Sequence, residues 1–185
     1  VTVRLNVLHP LLLGLLLGLA GCHDTHSQPG QEPTMTAPGS ITVTSPAFRD
    51  GQPIPARFSC DGGNVTPPLA WQGVPPAAKA VALVVDDPDA PRGAFVHWVL
   101  LDLAPDTGSL AEGSAPAGTT QATNSTGKAT YFGPCPPSGT HHYRFTVSAL
   151  TSATGLPNGA ALNQALKAIN ASAIARGRLV GTYSR

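Results

Sequence analysis

Along most of the chain apolar and polar residues alternate with the period of a strand, and one stretch alone carries the period of a helix. Ile41-Thr42-Val43-Thr44 alternates and predicts a first strand, ended by Ser45-Pro46. Arg57-Phe58-Ser59-Cys60 predicts another, closed by the turn Asp61-Gly62-Gly63-Asn64. The run Ala80-Val81-Ala82-Leu83-Val84-Val85 is apolar on both sides, as in a strand at the centre of a sheet, and Asp86-Asp87-Pro88-Asp89-Ala90-Pro91 stops it. From Phe95 to Leu103 strict alternation places Phe95, His97, Val99 and Leu101 on one face and Val96, Trp98 and Leu100 on the other. From His141 to Leu150 it places His141, Tyr143, Phe145 and Val147 together, with His142, Arg144 and Thr146 opposite. Leu162, Ala165, Leu166 and Ile169 recur at helical spacing and predict a helix over Ala160 to Arg176, with Asn158 as N-cap and Gly177 as its stop. Leu179 to Tyr183 predicts a short closing strand.

The first apolar stretch, Leu11 to Leu19, is of another kind. It follows Arg4 and His9, is too short to span a bilayer comfortably, and reads as the core of a signal peptide over residues 1–21. Leu19-Ala20-Gly21-Cys22 resembles the bacterial lipobox, which implies lipidation of Cys22 and a mature protein that begins there. Acyl chains stabilise a membrane-bound state by about 0.8 kcal/mol per buried CH₂, so a terminal lipid holds a domain at a bilayer without a spanning helix. Residues 22–40, poor in apolar side chains, read as a flexible tether, and 41–185 as the folded domain. His23 and His26 stand on that tether and are not expected to bind metal. The expected location is the bacterial cell envelope, lipid-anchored and facing the periplasm or the outside.

Composition narrows the class further. With 20 Gly and 19 Pro, short strands joined by turns are favoured and the domain is read as mostly β. Charged residues make up 11%, with 11 Lys plus Arg against 10 Asp plus Glu, so no broad field is present to gather nucleic acid.

Several motifs occur in order: Asp61-Gly62 with Asn64, Pro67-Pro68-Leu69 with Trp71, Asp87-Pro88-Asp89-Ala90-Pro91, His97-Trp98, Gly133-Pro134-Cys135-Pro136-Pro137, Gly139, His141 with Tyr143, and Gly181-Thr182-Tyr183. Together they resemble the phosphatidylethanolamine-binding or Raf-kinase-inhibitor-like family, bacterial branch. The resemblance implies a β-sandwich of two antiparallel sheets with one main C-terminal helix. It also implies a small surface cavity for phosphate, phosphorylated head groups and similar anions. Carried over by position, it makes Asp87, Asp89, His97, His141 and Tyr143 pocket residues, with Gly133, Pro134 and Cys135 in the loop Gly133 to Pro137 that walls the pocket. Two positions depart from the family pattern. His142 stands where the family usually has Arg, with Arg144 two residues on, and Asn124-Ser125-Thr126-Gly127 matches an Asn-Asp-Phe-Gly stretch only in part.

The residue types suit an anion without the family's help. Imidazole and phenol groups at a sheet's end supply donors, a glycine-containing loop can add backbone N–H groups, and a carboxylate such as Asp87 orients an imidazole. Binding is expected to strengthen as pH falls through the histidine range. With Cys22 assigned to lipid, Cys60 and Cys135 form an even pair and are expected to be bonded, with two separate buried thiols as the alternative. The leading function is a binding module for a small anionic or phospholipid head-group ligand, with kinase- or protease-inhibiting modulation as an analogy and no cofactor. The competing class is a hydrolase or metal-assisted enzyme using His97, His141, Asp87 and Cys135, although no nucleophile elbow or metalloprotease motif is present.

Overall fold

The computed structural model describes residues 40–113 and 115–185; the expected signal peptide, Cys22 and the expected tether up to residue 39 lie outside them. The described elements in chain order are β1 (Thr42–Thr44), β2 (Gln52–Pro53), β3 (Leu69–Gln72), β4 (Ala80–Asp87), β5 (Phe95–Leu103), β6 (Ser109–Leu110), β7 (Thr120–Gln121), β8 (Thr140–Leu150), α1 (Leu162–Ser172) and β9 (Ala173–Ser184). They form a six-stranded sheet in the order β2-β9-β8-β4-β5-β7 and a three-stranded sheet in the order β1-β3-β6. Val81, Leu83 and Val85 of β4 fill the space between the sheets with Trp71, Trp98, Phe145 and Val147. The alternate residues Ala80 and Ala82 turn to the outer face, where Val99, Leu101, Ala165 and Ile169 bury them under α1. The two-sided apolar run thus marks a strand covered on both faces, as its pattern predicts.

Neighbouring strands run antiparallel, except that β2 lies parallel to β9. This pair departs from the purely antiparallel sheets expected. It is a two-residue edge, held where Gly51 N–H donates to Val180 O and Ile54 N–H to Thr182 O, 2.8 Å each.

Several local expectations fail for tertiary reasons. Arg57 to Cys60 is no strand. Ala56–Phe58 forms a 3-10 turn in which Phe58 is fully buried, so its single aromatic serves as a plug and its neighbours make no ladder. The helix is shorter than its periodicity suggests: Ala161 is its N-cap and Ala173 its C-cap. Asn158 instead accepts a hydrogen bond from Gln121 N–H at 2.9 Å. Beyond Ser172 the chain pairs with β8 over twelve residues, so the short closing strand is a long one, and pairing overrides the helix-compatible composition of residues 173–176. Gly177 therefore stops no helix. It lies mid-strand, where an added Cβ would stand 1.9 Å from the carbonyl oxygen of Ile41.

β5 departs from simple alternation too. Val85 pairs with Trp98 but Asp86 pairs with Val96, which leaves His97 as the extra residue of a β-bulge. The bulge turns His97 toward Tyr143, on the side of Trp98, while Val99 and Leu101 join Val96 in the outer cluster. The expected grouping of His97 with Val99 and Leu101 is corrected accordingly.

Cys60 and Cys135 are bonded, with Cα atoms 5.5 Å apart and a sequence separation of 75. The link fastens the turn after Phe58 to the Gly133–Pro137 segment. Closing a loop of that length stabilises the fold by roughly 4 to 5 kcal/mol in the chain-entropy model. Replacing both cysteines by serine should therefore lower the free energy of unfolding by about 2 to 5 kcal/mol in denaturant titration. Wild type and variant with the same midpoint would show that the bond carries no such load.

Candidate functional site

The site stands at the end of the six-stranded sheet where β4 finishes. Alternation on β4 sends Asp87 to the interior side along with Val81, Leu83 and Val85, and only 4% of it is exposed. On β8 the same rule brings His141, Tyr143 and Phe145 inward. The register pairs Asp86 with Arg144, so Asp87 lies beside Tyr143 and within reach of His141. His141 Nδ1–H donates to Asp87 Oδ2 at 2.7 Å. Asp87 Oδ1 accepts the Asp89 backbone N–H at 2.8 Å, which closes the turn that follows β4. One carboxylate thus shapes the loop and sets the ring. Because a carboxylate only accepts, the Nδ1 proton of His141 is fixed, and Nε2 is the ring's remaining hydrogen-bonding atom.

His97 is fixed by the opposite wall. Its Nδ1–H donates to Phe132 O at 2.7 Å, and Phe132 N–H donates back to His97 O at 3.1 Å. Its ring stacks on Phe132 at 5.7 Å between centroids, tilts against Phe95 at 4.8 Å and meets Tyr143 edge-on at 5.2 Å. Burial holds the His97 imidazole below its ordinary pKa, against the smaller raising effects of Phe132 O and Asp87, so the ring is neutral near pH 7. With its proton on Nδ1, its Nε2 is an acceptor. That atom is buried and makes no hydrogen bond among the described residues. Tyr143 is fully buried, and burial first, then Asp87, pushes its phenol well above the usual range, so it keeps its proton.

A cavity of about 140 Å³ is bordered by Asp87, His97, Cys135 and His141. Ala90, Pro91, Phe95, Phe132 and Pro137 complete it and make its surface largely apolar. Pro137 belongs to the loop expected to wall the pocket; Ala90, Pro91, Phe95 and Phe132 are not among the expected pocket residues, although Ala90 and Pro91 lie inside a quoted motif and Phe95 shares the predicted face of His97. Four sequence candidates stand outside the cavity wall. Tyr143 packs behind His97. Asp89 accepts from His142 at the rim, through Nδ1–H at 2.7 Å and backbone N–H at 2.8 Å. Those bonds, the side-chain one first, hold its carboxyl below the usual range. Gly133 and Pro134 belong to a clasp: Gly133 N–H donates to Asn64 Oδ1 at 2.7 Å, and Cys60 N–H to Pro134 O at 3.1 Å. Of the backbone N–H groups this glycine-containing loop could offer a ligand, that of Gly133 is already taken by Asn64. A side chain at 133 is excluded because its Cβ would stand 2.4 Å from Phe58 O.

The two departures from the family pattern resolve in the same way. His142 partners Asp89 where the usual Arg would stand, and Arg144 does not replace it: Arg144 Nε–H donates to Asp86 Oδ1 at 3.0 Å on the outer face. Asn124 is buried as a fastener, its amide donating to Thr130 O at 2.8 Å and His97 O at 3.3 Å. The paired motifs at the two ends of the domain also meet, with Tyr183 Oη–H donating to Asp61 Oδ2 at 2.9 Å.

Residues 44–184 match the family model described as phosphatidylethanolamine-binding protein. The chain belongs to the phosphatidylethanolamine-binding protein family. Among relatives, it is 47% identical over 186 residues to a Mycobacterium tuberculosis protein named "Putative lipoprotein LppC", covering 92% of each chain. It is 43% identical over 150 residues to a UPF0098 protein of Methanothermobacter thermautotrophicus, covering 78% of this chain and 99% of that one. Among solved structures, a Chlamydia trachomatis protein described as a phosphatidylethanolamine-binding protein homolog superposes with a TM-score of 0.74 at 37% identity, covering 79% of this chain and 98% of that one. Escherichia coli YbcL, described as a member of the mammalian PEBP family, gives 0.74 at 30% identity, with 79% and 99% covered. Membership in this family supports a ligand-binding role and a non-enzymatic one. The disulfide agrees, because Cys135 holds no free thiolate to act as a nucleophile.

The neutral His97 carries a stability consequence. Its folded pKa lies below the unfolded value of about 6.5, so the unfolded chain takes up the proton first and stability falls as pH drops below that value. Between pH 7 and 5.5 wild type should lose roughly 1 kcal/mol more than His97→Asn, whose amide can still donate to Phe132 O. Parallel stability curves for the two proteins would remove His97 as the titrating group.

Proposed function

We propose that this protein is a lipid-anchored envelope binding protein that holds a small phosphate-bearing anion in its monoprotonated form. The observation that carries the reading is the pair of imidazoles on one 140 Å³ cavity, His141 fixed by Asp87 and His97 left with an unpartnered Nε2 acceptor. With its Nδ1–H held by Asp87, a protonated His141 offers Nε2–H to an anionic oxygen, and the neutral His97 accepts at Nε2 a hydrogen bond from an O–H or N–H that the guest must bring. The bare phosphate dianion of a monoester has none to give. A monoanion keeps one P–O–H, and an ethanolamine ammonium offers N–H instead, which suits phosphate monoesters and zwitterionic head groups. The apolar remainder, Phe95, Phe132 and Pro137, excludes water and strengthens each of these bonds. Asp87, Asp89, His97, Gly133, Pro134, Cys135, His141 and Tyr143 thus divide into cavity residues and those that hold them in place.

The anchor rests on Leu19-Ala20-Gly21-Cys22, on the lipoprotein name of the relative aligned over 92% of this chain, and on a disulfide that suits an oxidising compartment. Residues 1–21 act as the signal peptide and 22–40 as the tether of the domain at 41–185.

Titration with methyl phosphate, followed by phosphorus NMR, tests the site. Binding is expected at pH 5.5 and should weaken at least tenfold by pH 8, because the second proton leaves with a pKa of about 6. Asp87→Asn and His141→Ala should lose binding while retaining the wild-type circular dichroism spectrum. Equal affinity at both pH values, or in both folded variants, would overturn the reading. For the anchor, Cys22→Ala should move the full-length protein from the membrane to the soluble fraction of expressing bacteria; an unchanged membrane share would refute lipidation at that residue.

A further inference from the structure

The outer face of the six-stranded sheet holds a second opening that the site above does not use. It is a groove of about 320 Å³ between α1 and the outward side chains of β4, β8 and β9. Its base is apolar, formed by Val84, Leu166 and the buried Ile169. Its rim is basic. Arg176 and Arg178 project from β9 two residues apart, so they share one face about 7 Å from each other along the strand. Arg144 stands diagonally across on β8, where its register partner is Val180.

The charges on this rim are unevenly matched. Arg144 is engaged with Asp86, whose carboxylate is the one acid bordering the groove. Among the described residues neither Arg176 nor Arg178 reaches a carboxylate. β8, α1 and β9 themselves contribute no Asp or Glu, and the Asp50 carboxylate that reaches β9 accepts the Val180 N–H at 2.8 Å. In a chain whose formal net charge is only +1, this is a local concentration of positive charge and not an overall surplus. Two like-charged guanidiniums on adjacent same-face positions repel, and an anion between them relieves that repulsion.

The guanidiniums are also oriented in advance. Arg176 donates through Nη2–H to Asn170 Oδ1 at 2.8 Å and through Nε–H to Ser148 Oγ at 3.4 Å. Arg178 donates through Nε–H to Thr146 Oγ1 at 3.1 Å. These neutral acceptors fix the side chains without neutralising them, and most of the five N–H donors on each remain free.

The geometry points to a second ligand site in this groove, for a small amphipathic anion whose carboxylate or phosphate head lies between Arg176 and Arg178 and whose short apolar body rests on Val84, Leu166 and Ile169. The head is selected by paired guanidinium donors and the body by an apolar base, a combination that inorganic phosphate satisfies only in part. The site is on the opposite face of the sheet from the His97–His141 cavity and shares no residue with it.

Proton–nitrogen NMR of the whole folded protein titrated with phenyl phosphate tests it. Saturable shifts are expected at the amides of Leu166, Ile169 and Arg178, and they should persist in His141→Ala, which removes a residue of the other cavity only. Arg176→Gln with Arg178→Gln should weaken these shifts at least tenfold while keeping the spectral dispersion of a folded sheet. Raising the salt from about 0.05 M to about 0.5 M should weaken them in wild type without any substitution. Inorganic phosphate should bind at the same amides at least tenfold more weakly. Shifts confined to the His97–His141 cavity, insensitivity to the arginine changes and to salt, or equal affinity for inorganic phosphate would each overturn the proposal.

Discussion

The bond between Asp87 and His141 is the interaction on which the site's geometry turns, because it asks one buried carboxylate to do two local jobs. One oxygen closes the turn after β4 and the other fixes a ring on β8, so the end of one strand, the loop leaving it and the facing strand are positioned by a single side chain. A buried carboxylate with a free oxygen is costly to keep, and here each oxygen has a donor. The same economy recurs at Asp102, whose Oδ1 accepts the Thr154 N–H and whose Oδ2 accepts from Thr154 Oγ1 and Gly155 N–H.

The opposite wall is held by a different means. The segment from Tyr131 to Cys135 is fastened to the turn around Phe58 by Tyr131 Oη–H to Phe58 O, by Gly133 N–H to Asn64, by Cys60 N–H to Pro134 O and by the disulfide. It is fastened to β5 by the reciprocal bonds between His97 and Phe132. Asn64, Gly133 and Pro134 of the quoted motifs are spent on this clasp, and it backs the His97 ring that faces a guest. The outer face, by contrast, owes its character to a charge pattern on β8 and β9 and to the helix laid across them.

Much of this was legible in the residues. A two-sided apolar run located β4, period-two spacing located β5 and β8, the even cysteine pair indicated the bond, and the motif at Asp87 with His141 named the two groups that meet. What escaped was set by contacts that no local pattern encodes. The bulge at His97 shifts the faces of β5 by one residue, so counting alternate positions assigns Val99 and Leu101 to the wrong side. Residues 173–176 look compatible with a helix, yet pairing with β8 draws them into a strand. Phe58 sits in a run that reads as extended and is instead a buried plug on a single turn. Gly133 offers its amide on paper, and only the position of Asn64 shows that it is already taken.

Of the cavity's borders, the clasp side and the sheet side are tied by several independent bonds, whereas the stretch from Ala90 to Gly93 is closed chiefly by its own Gly93 N–H to Ala90 O contact, with Arg92 and Gly93 exposed. Two fastened sides and one yielding side make a mould with a single adjustable jaw. Relatives that differ in preferred guest would then be expected to vary at this short turn, with the chemistry of the two rings kept constant behind it.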